Sequence, residues 1–339
     1  MKYLQTGLPY PAPIQDYKVL TLTMTFNQEG YISQTLDGLA AQRTDFPLAC
    51  FVIDDGSTDS EPEVIREWMA AHCQMSEAES TEIPTADIVV APLKDRPNCH
   101  FAFYFLRENM FRKKGKREHW KPWLEHCSYV ATCEGDDYWT NPDKLQMQAD
   151  YLDAHPDCAM CFGKVRNYLE DEKRFAPDLI GAPSETLERL LFGNNIPTLS
   201  TLYREAASRR YFEIVRPETR GWKMGDYPVW LFFAGEYGIH FMDEVFGVYR
   251  NNTGSLSHPD SLEKLMAFLD SRDEIIRFFC KRYHLRPKYF LRASENERML
   301  IYLDRGEYRK GLRDLWRRKY LKLSQRWHYF RLFTRKARV

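Results

Sequence analysis

Cys133-Glu134-Gly135-Asp136-Asp137-Tyr138-Trp139 follows directly on the run Tyr129-Val130-Ala131-Thr132. Three carboxylates within four residues repel one another and are costly to desolvate, so such a cluster serves either as a solvated turn or as the seat of a hard cation. The flanks favour the cation. A short β-prone run leads in, and Asn141-Pro142-Asp143 precedes a helical pattern from Lys144 to Leu152. The acids therefore stand on a loop at the carboxyl end of a strand, the edge at which open α/β sheets bind ligands.

Upstream, the same grammar appears twice. Lys18 to Phe26 alternates β-branched and apolar residues as a strand does, Asn27-Gln28-Glu29-Gly30 breaks it, and Ile32, Leu36 and Leu39 then fall on one helical face. Ala49-Cys50-Phe51-Val52-Ile53 is a second strand, Asp54-Asp55-Gly56-Ser57-Thr58-Asp59 its loop, and Val64 to Met69 the next helix. Two β-loop-α units in series predict parallel strands with right-handed crossovers. Residues 72–99 turn polar and proline-bearing and read as an insertion or long loop. Phe101 to Leu106 is a strong strand ending in Arg107-Glu108-Asn109, followed by a basic stretch (Arg112, Lys113, Lys114, Lys116, Arg117) and a helix toward Cys127.

Further strands are expected at Cys158–Val165, into Arg204, and at Ile239–Arg250, with helices at Ser184–Phe192, after Gly225-Asp226-Tyr227-Pro228, and throughout the chain beyond Pro259. The fold class is thus α/β: a mixed, mostly parallel sheet flanked by helices, with a C-terminal helical extension.

Composition bounds the rest. The 339 residues are 44% hydrophobic, enough for one large domain with an appendage or for two. Lys+Arg and Asp+Glu both number 48, yet Arg309 to Val339 holds twelve Lys or Arg against one acid, Asp314. That asymmetry predicts a basic tail facing an anionic partner. No apolar run reaches the roughly 18 residues of a membrane span, and the N-terminus lacks a signal-peptide core, so a cytosolic location is expected. Eight cysteines without regular spacing read as reduced thiols. Cys158 and Cys161, three apart on a strand, should face opposite sides of the sheet and belong to the core.

The acidic loop resembles the D-x-D signature of nucleotide-sugar glycosyltransferases. Met24-Thr25-Phe26-Asn27 resembles that family's first-strand motif and Val52 to Asp59 its second-strand signature. With Glu134-Gly135-Asp136-Asp137 and Gly225-Asp226-Tyr227, they are similar in order and spacing to the inverting family 2 glycosyltransferases of the GT-A fold, over about Lys18 to Asn252. The implied divisions are an extended lead-in (1–16), a GT-A domain (17–257) and a helical C-terminal region (258–339).

A sugar nucleotide offers a base with N–H donors, a ribose with two hydroxyls and a diphosphate leaving group. The resemblance and this chemistry together put Asp54 and Asp55 on the base and ribose, assisted by Thr25 and Asn27. Asp59 or Ser60 as a helix cap is the plain alternative for that segment. Asp136 is the first-choice ligand for Mn²⁺ or Mg²⁺, with Asp137 as a second ligand or a sugar-hydroxyl partner. Glu134 replaces the usual first acid, which moves it toward ribose binding. Arg107 is a nucleotide partner or a surface ion pair. Asp226 is the implied catalytic base, with helix N-capping as its alternative. Relatives often carry Glu-Asp here, whereas this chain has Gly225-Asp226. Asn252 stands where relatives often place a metal-binding histidine, and His258, six residues on, is not counted as a ligand. Trp139 and Trp222 either stack on sugars or fill the core.

Leu312, Trp316, Tyr320, Leu323, Trp327 and Phe330 recur at helical spacing among the tail's cations. One amphipathic helix results, suited to an anionic membrane surface or to packing on the rest of the chain. Nucleic acid is not expected, because no binding fold accompanies the charge. The expected partners are a nucleotide sugar, with a UDP-sugar first, and a cell-envelope glycan or lipid-linked acceptor at the cytosolic membrane face. Two other functions fit parts of the pattern. A sugar-phosphate nucleotidyltransferase also needs acids and a metal, but it calls for a glycine-rich phosphate loop after the first strand, which is missing. The other is a non-catalytic module that binds a nucleotide sugar or tethers partners at a membrane.

Overall fold

The computed structural model describes the backbone of residues 2–3 and 9–10, and residues 16–111, 113, 115–252 and 261–336. Residues 253–260, with His258 and the expected 253–255 turn, lie outside the described residues, as do Arg112, Lys114 and most of the lead-in. Lys2–Tyr3 and Pro9–Tyr10 pair antiparallel. The sheet strands are β1 (Tyr17–Thr25), β2 (Leu48–Asp54), β3 (Glu79–Ile83), β4 (Ala86–Leu93), β5 (Arg96–Leu106), β6 (Cys127–Thr132), β7 (Tyr138–Trp139), β8 (Cys158–Leu169), β9 (Arg174–Ile180), β10 (Leu202–Arg204) and β11 (Gly238–Asn251). The longer helices are α1 (Ile32–Ala40), α2 (Glu61–His72), α3 (Lys144–Ala154), α4 (Leu187–Phe192), α5 (Glu205–Val215), α6 (Tyr227–Glu236), α7 (Leu262–Arg282), α8 (Lys288–Asp304), α9 (Tyr308–Leu315) and α10 (Leu323–Lys336). None of the described helices is long and apolar enough to cross a membrane.

The chain forms two units. The first comprises residues 1–185, 195–214 and 237–252. Its eleven-stranded sheet runs β3-β4-β5-β2-β1-β6-β10-β8-β11-β7, with β9 paired to β8. At its centre β1 is parallel to β2 and β6, and β2 is parallel to β5. Strands covered on both faces are apolar almost throughout, as β2 is, with every residue buried. Alternate side chains supply two separate cores. Val19, Cys50, Val52 and Phe103 meet α1, α2 and α3 on one face, while Leu20, Phe51, Ile53, Tyr104 and Trp123 fill the other.

The segment expected as an insertion or long loop is instead a meander. β3, β4 and the start of β5 pair antiparallel at the sheet edge, with Ile83, Ile88 and Val90 buried. Prolines and charges hid it. Pro92 lies beyond the last β3 pair, Glu79 with Val90, so its missing N–H faces no partner strand. Cys158 and Cys161 also depart from expectation: a register shift between Cys158 and Met160 brings both into one core cluster. All eight cysteines are free thiols.

The second unit comprises residues 186–194, 215–236 and 253–339. The tail is not one helix but two, because residues 316–322 leave the helical path. The buried carboxylate of Glu295 on α8 accepts the backbone N–H groups of Lys319, Tyr320 and Leu321 at 2.9, 2.7 and 2.8 Å, which a continuous helix would have used internally. Leu315, Leu321, Tyr329 and Phe333 pack with Met299 and Tyr302 beside it. Glu295→Ala strands three donors, and at about 1–3 kcal/mol for a buried unsatisfied group it should lower stability by roughly 2–4 kcal/mol in chemical denaturation. A loss within about 0.5 kcal/mol, the scale of an ordinary surface change, would contradict this account of the break.

Candidate active site

Because β1, β2, β5 and β6 are parallel, their carboxyl ends open on one edge. Thr25 is in register with Asp54, and Asp54 with Phe105, so the loops at 26–31, 55–60 and 107–111 gather there. The acidic loop joins them as Cys133 N–H bonds to Leu22 O (3.1 Å) and Gly135 N–H to Met24 O (3.0 Å). Gly135 is required by this approach: a Cβ there would lie 2.3 Å from Thr25 Oγ1 and 2.5 Å from Thr25 Cβ.

The first two loops are fastened by a buried acid. Glu61, first residue of α2, accepts from the Thr25 hydroxyl, from Gln28 N–H (2.8 Å) and from Ser57 Oγ (2.9 Å). Burial pushes its carboxyl pKa up, and these donors oppose the shift. Thr25 also meets Gln28 Oε1 at 2.8 Å, so its hydroxyl is engaged within the protein. Asn27, with φ of 53°, accepts Thr58 N–H at 2.8 Å and donates its own N–H to Ser57 Oγ at 2.9 Å. Glu29 accepts Ser60 N–H at 2.8 Å. Asp59 Oδ1 accepts Glu61 N–H at 3.1 Å at the start of α2, while Ser60, which occupies the N-cap position, makes no side-chain cap bond.

Asp54 and Asp55 are both buried. Asp54 accepts Ser57 N–H at 2.9 Å, and burial raises its pKa. Asp55 reaches the neighbouring loop, accepting Met110 N–H at 2.8 Å and pairing with Lys116 Nζ at 2.7 Å. Gly56, at φ 71°, lets the two loops meet, since a Cβ would stand 2.7 Å from Asn109 N. Arg107 is held elsewhere by ion pairs to Glu82 and, at 2.8 Å, Asp87, on β3 and β4.

Oxygens of Glu134, Asp136 and Asp137 all lie within 4.8 Å of one another. Arg250 at the end of β11 organises them. Its N–H bonds to Asp137 Oδ1 at 2.8 Å and its Nε to Asp136 O at 2.9 Å, while its remaining nitrogens reach Glu170 (2.9 Å) and Gln34 (2.6 Å). Asn252 donates to Asp136 Oδ2 at 3.3 Å. Burial, then the charges of Asp136 and Glu134, push the Asp137 carboxyl well above its usual range, and burial also raises Asp136. One guanidinium shared with Glu170 leaves this oxygen-donor set in excess of negative charge, which fits a hard divalent cation.

A pH dependence follows. Elevated pKa values mean that, above the unfolded carboxylate pKa near 4, the folded chain holds protons the unfolded chain has lost. Without a cation, this stability is present at low pH and lost as pH rises through the folded pKa. In chelator, Tm should fall from about pH 5 to about pH 8, Mn²⁺ should restore more of it at the higher pH, and Asp137→Asn should flatten the difference. A Tm that is insensitive to Mn²⁺ at both pH values would contradict the cation reading.

Trp139 is buried, its Nε1 donating to Leu199 O at 2.8 Å with Lys144 Nζ 4.3 Å from its ring, which makes it a core residue. In the second unit Trp222 packs edge-on to Phe278 at 5.4 Å. There Asp226 immediately precedes α6, its carbonyl accepting the N–H groups of Val229 and Trp230 at 2.9 and 3.1 Å. Val229 to Phe233 are all buried, and Tyr227 anchors the helix start through its hydroxyl on Leu190 O at 2.8 Å.

Two crystal structures of Staphylococcus aureus TarS (residues 1–349) share this fold. One, in complex with UDP-GlcNAc, aligns at TM-score 0.52 and 18% identity, covering 85% of this chain and 73% of that one. The other aligns at 0.51 and 17%, covering 94% and 80%. Residues 21–77, from β1 through α2, match the family described as Glycosyl transferase family 2. That match places the segment from β1 through α2 with glycosyltransferase family 2. The sheet and flanking helices are those of the GT-A fold. Rv1520 of Mycobacterium tuberculosis is 34% identical over 189 residues, as is Mb1547 of Mycobacterium bovis. That alignment covers 55% of this chain and 47% of each relative, so the chain spans about half the length of the curated relatives it matches.

The residues hidden in the sequence are those that position others. Glu61 carried a usable signal, an acid in the first turn of a helix directly after a strand-end loop. Lys116 was visible only as part of a basic stretch. The role of Arg250 had no local signal, because Gln34, the Asp136-Asp137 pair and Glu170 come from three distant parts of the sequence.

Proposed function

We propose that this chain is a metal-dependent, inverting glycosyltransferase that moves a sugar from a UDP-sugar to a hydroxyl of a cell-envelope glycan or lipid-linked acceptor at the cytosolic membrane face. The observation that carries this reading is the convergence of Glu134, Asp136 and Asp137 at the sheet edge where the buried Asp54 ends β2 and the buried Asp55 follows it. The family match and the UDP-GlcNAc complex of TarS support the donor class.

Each residue then has a task. Asp54 accepts from the nucleotide base or ribose, and Asp55, through Met110 and Lys116, holds the loop beside it. Thr25 and Asn27 keep the first two loops joined, Arg107 anchors the edge hairpin, and Glu134 faces the ribose. Asp136 and Asp137 hold Mn²⁺ or Mg²⁺, which when bound neutralises charge on the departing diphosphate. Arg250 and Asn252 orient those two acids. Asp226 takes the acceptor hydroxyl's proton as that oxygen bonds to the anomeric carbon and the carbon–oxygen bond to the diphosphate breaks. Its place before α6 suits a carboxylate, since helix N-termini favour negative charge.

The test is proton NMR of the sugar released from UDP-sugars by slow hydrolysis, read before the anomers equilibrate. A first-formed product of configuration opposite to the donor is expected. Retained configuration would overturn the single-displacement reading.

A further inference from the structure

The tail that the donor site leaves unexplained carries a surface of its own. On α10, Tyr329 and Phe333 point into the core of the second unit. Trp327, about 200° round the helix from Tyr329, points out, and Leu323 and Arg331 lie one turn to either side of it on the same face. Leu323 is 67% exposed and Trp327 49%. Trp316, at the end of α9, is 50% exposed and closes the patch: its ring lies 6.3 Å from both Trp327 and Phe330, and those two are 5.6 Å apart.

Large side chains this exposed, grouped rather than scattered, mark an interaction surface. Their surroundings identify the partner. Arg313, Arg317, Lys319, Lys322 and Arg331 are exposed on the same two helices and their connection, and none forms an ion pair with a described residue. The single acid of the segment, Asp314, is occupied by Arg318 at 2.6 Å. Indole rings with a basic fringe match the headgroup region of a bilayer, where amphipathic rings sit at the interface and cations meet anionic lipid.

We infer that the Trp316–Leu323–Trp327 surface docks on an anionic membrane, with the flanking Arg and Lys side chains on lipid phosphates. This face is exposed in the folded unit, whereas a stripe on one continuous helix would be divided between core and solvent. The inference does not depend on the donor site.

The experiment is co-sedimentation of the full chain with phosphatidylcholine vesicles and with vesicles containing about 30% phosphatidylglycerol. Binding is expected only to the anionic vesicles, weakening strongly between about 0.1 and about 1 M salt. Trp316→Ser with Trp327→Ser should cut binding by at least about tenfold. Arg313→Glu with Arg317→Glu and Arg331→Glu, all at exposed positions, should cut it by roughly fivefold or more per charge. Circular dichroism and Mn²⁺-dependent UDP binding should be unchanged in both. If the tryptophan variant misfolds, the charge variant decides. Equal binding to neutral vesicles, or insensitivity to the charge reversals, overturns the proposal. So does absence of vesicle binding together with self-association or duplex DNA binding that the same substitutions abolish, since another copy or a nucleic acid would then be the occupant.

Discussion

Asp226→Asn should lower kcat by about 10²–10⁴ while UDP affinity in Mn²⁺ stays within about twofold, because on the proposed function it removes only the group assigned to take the acceptor's proton. The side chain is nearly isosteric and can still cap α6, so the helix and its buried residues Val229 to Phe233 should be undisturbed. Single-turnover rates with a donor–acceptor pair, beside calorimetric donor affinity, separate the two effects. If Asp226 served only as a helix cap, asparagine would replace it with almost no change in turnover. That outcome would move the base role elsewhere.

Asp136→Asn should act in the complementary way. Asn252 donates to the Asp136 carboxylate and Arg250 holds the Asp136 backbone carbonyl, so loss of the carboxylate should remove the Mn²⁺ dependence of donor binding, weakening UDP in Mn²⁺ by about a hundredfold, to the level seen in chelator. Folding should survive, since relieving mutual repulsion among Glu134, Asp136 and Asp137 offsets the lost contacts. Titration of UDP at fixed Mn²⁺ reads this directly. Equal loss of donor binding in the Asp136 and Asp226 variants would contradict the division of labour between them.

What sequence could reveal depended on how local the determining interactions were. The central strands were legible because Val19 to Thr25 and Leu48 to Asp54 combine β-prone side chains with loops rich in Asp, Asn and Gly, and both signals lie within a few residues. The acidic loop was legible for the same reason. The β3–β4 hairpin was not, because its prolines are tolerated only through an edge position that no local pattern announces. The tail's helical period was read correctly but its continuity was not. The break is set by Glu295, some two dozen residues upstream, through backbone bonds that periodicity cannot register. Cys158 and Cys161 share one core cluster because a β-bulge overrides strict alternation. Arg250 shows the limit most clearly: it gathers the acidic loop, yet its partners Gln34 and Asp136 are separated from it by 216 and 114 positions.

The most direct test of the central claim is calorimetric titration of the chain with UDP, GDP, CMP and dTDP, each with and without Mn²⁺. Tight binding of UDP that requires Mn²⁺, with the other nucleotides much weaker, is the predicted result. Binding of none of them by a folded sample would contradict the claim and leave a GT-A scaffold serving as a tether.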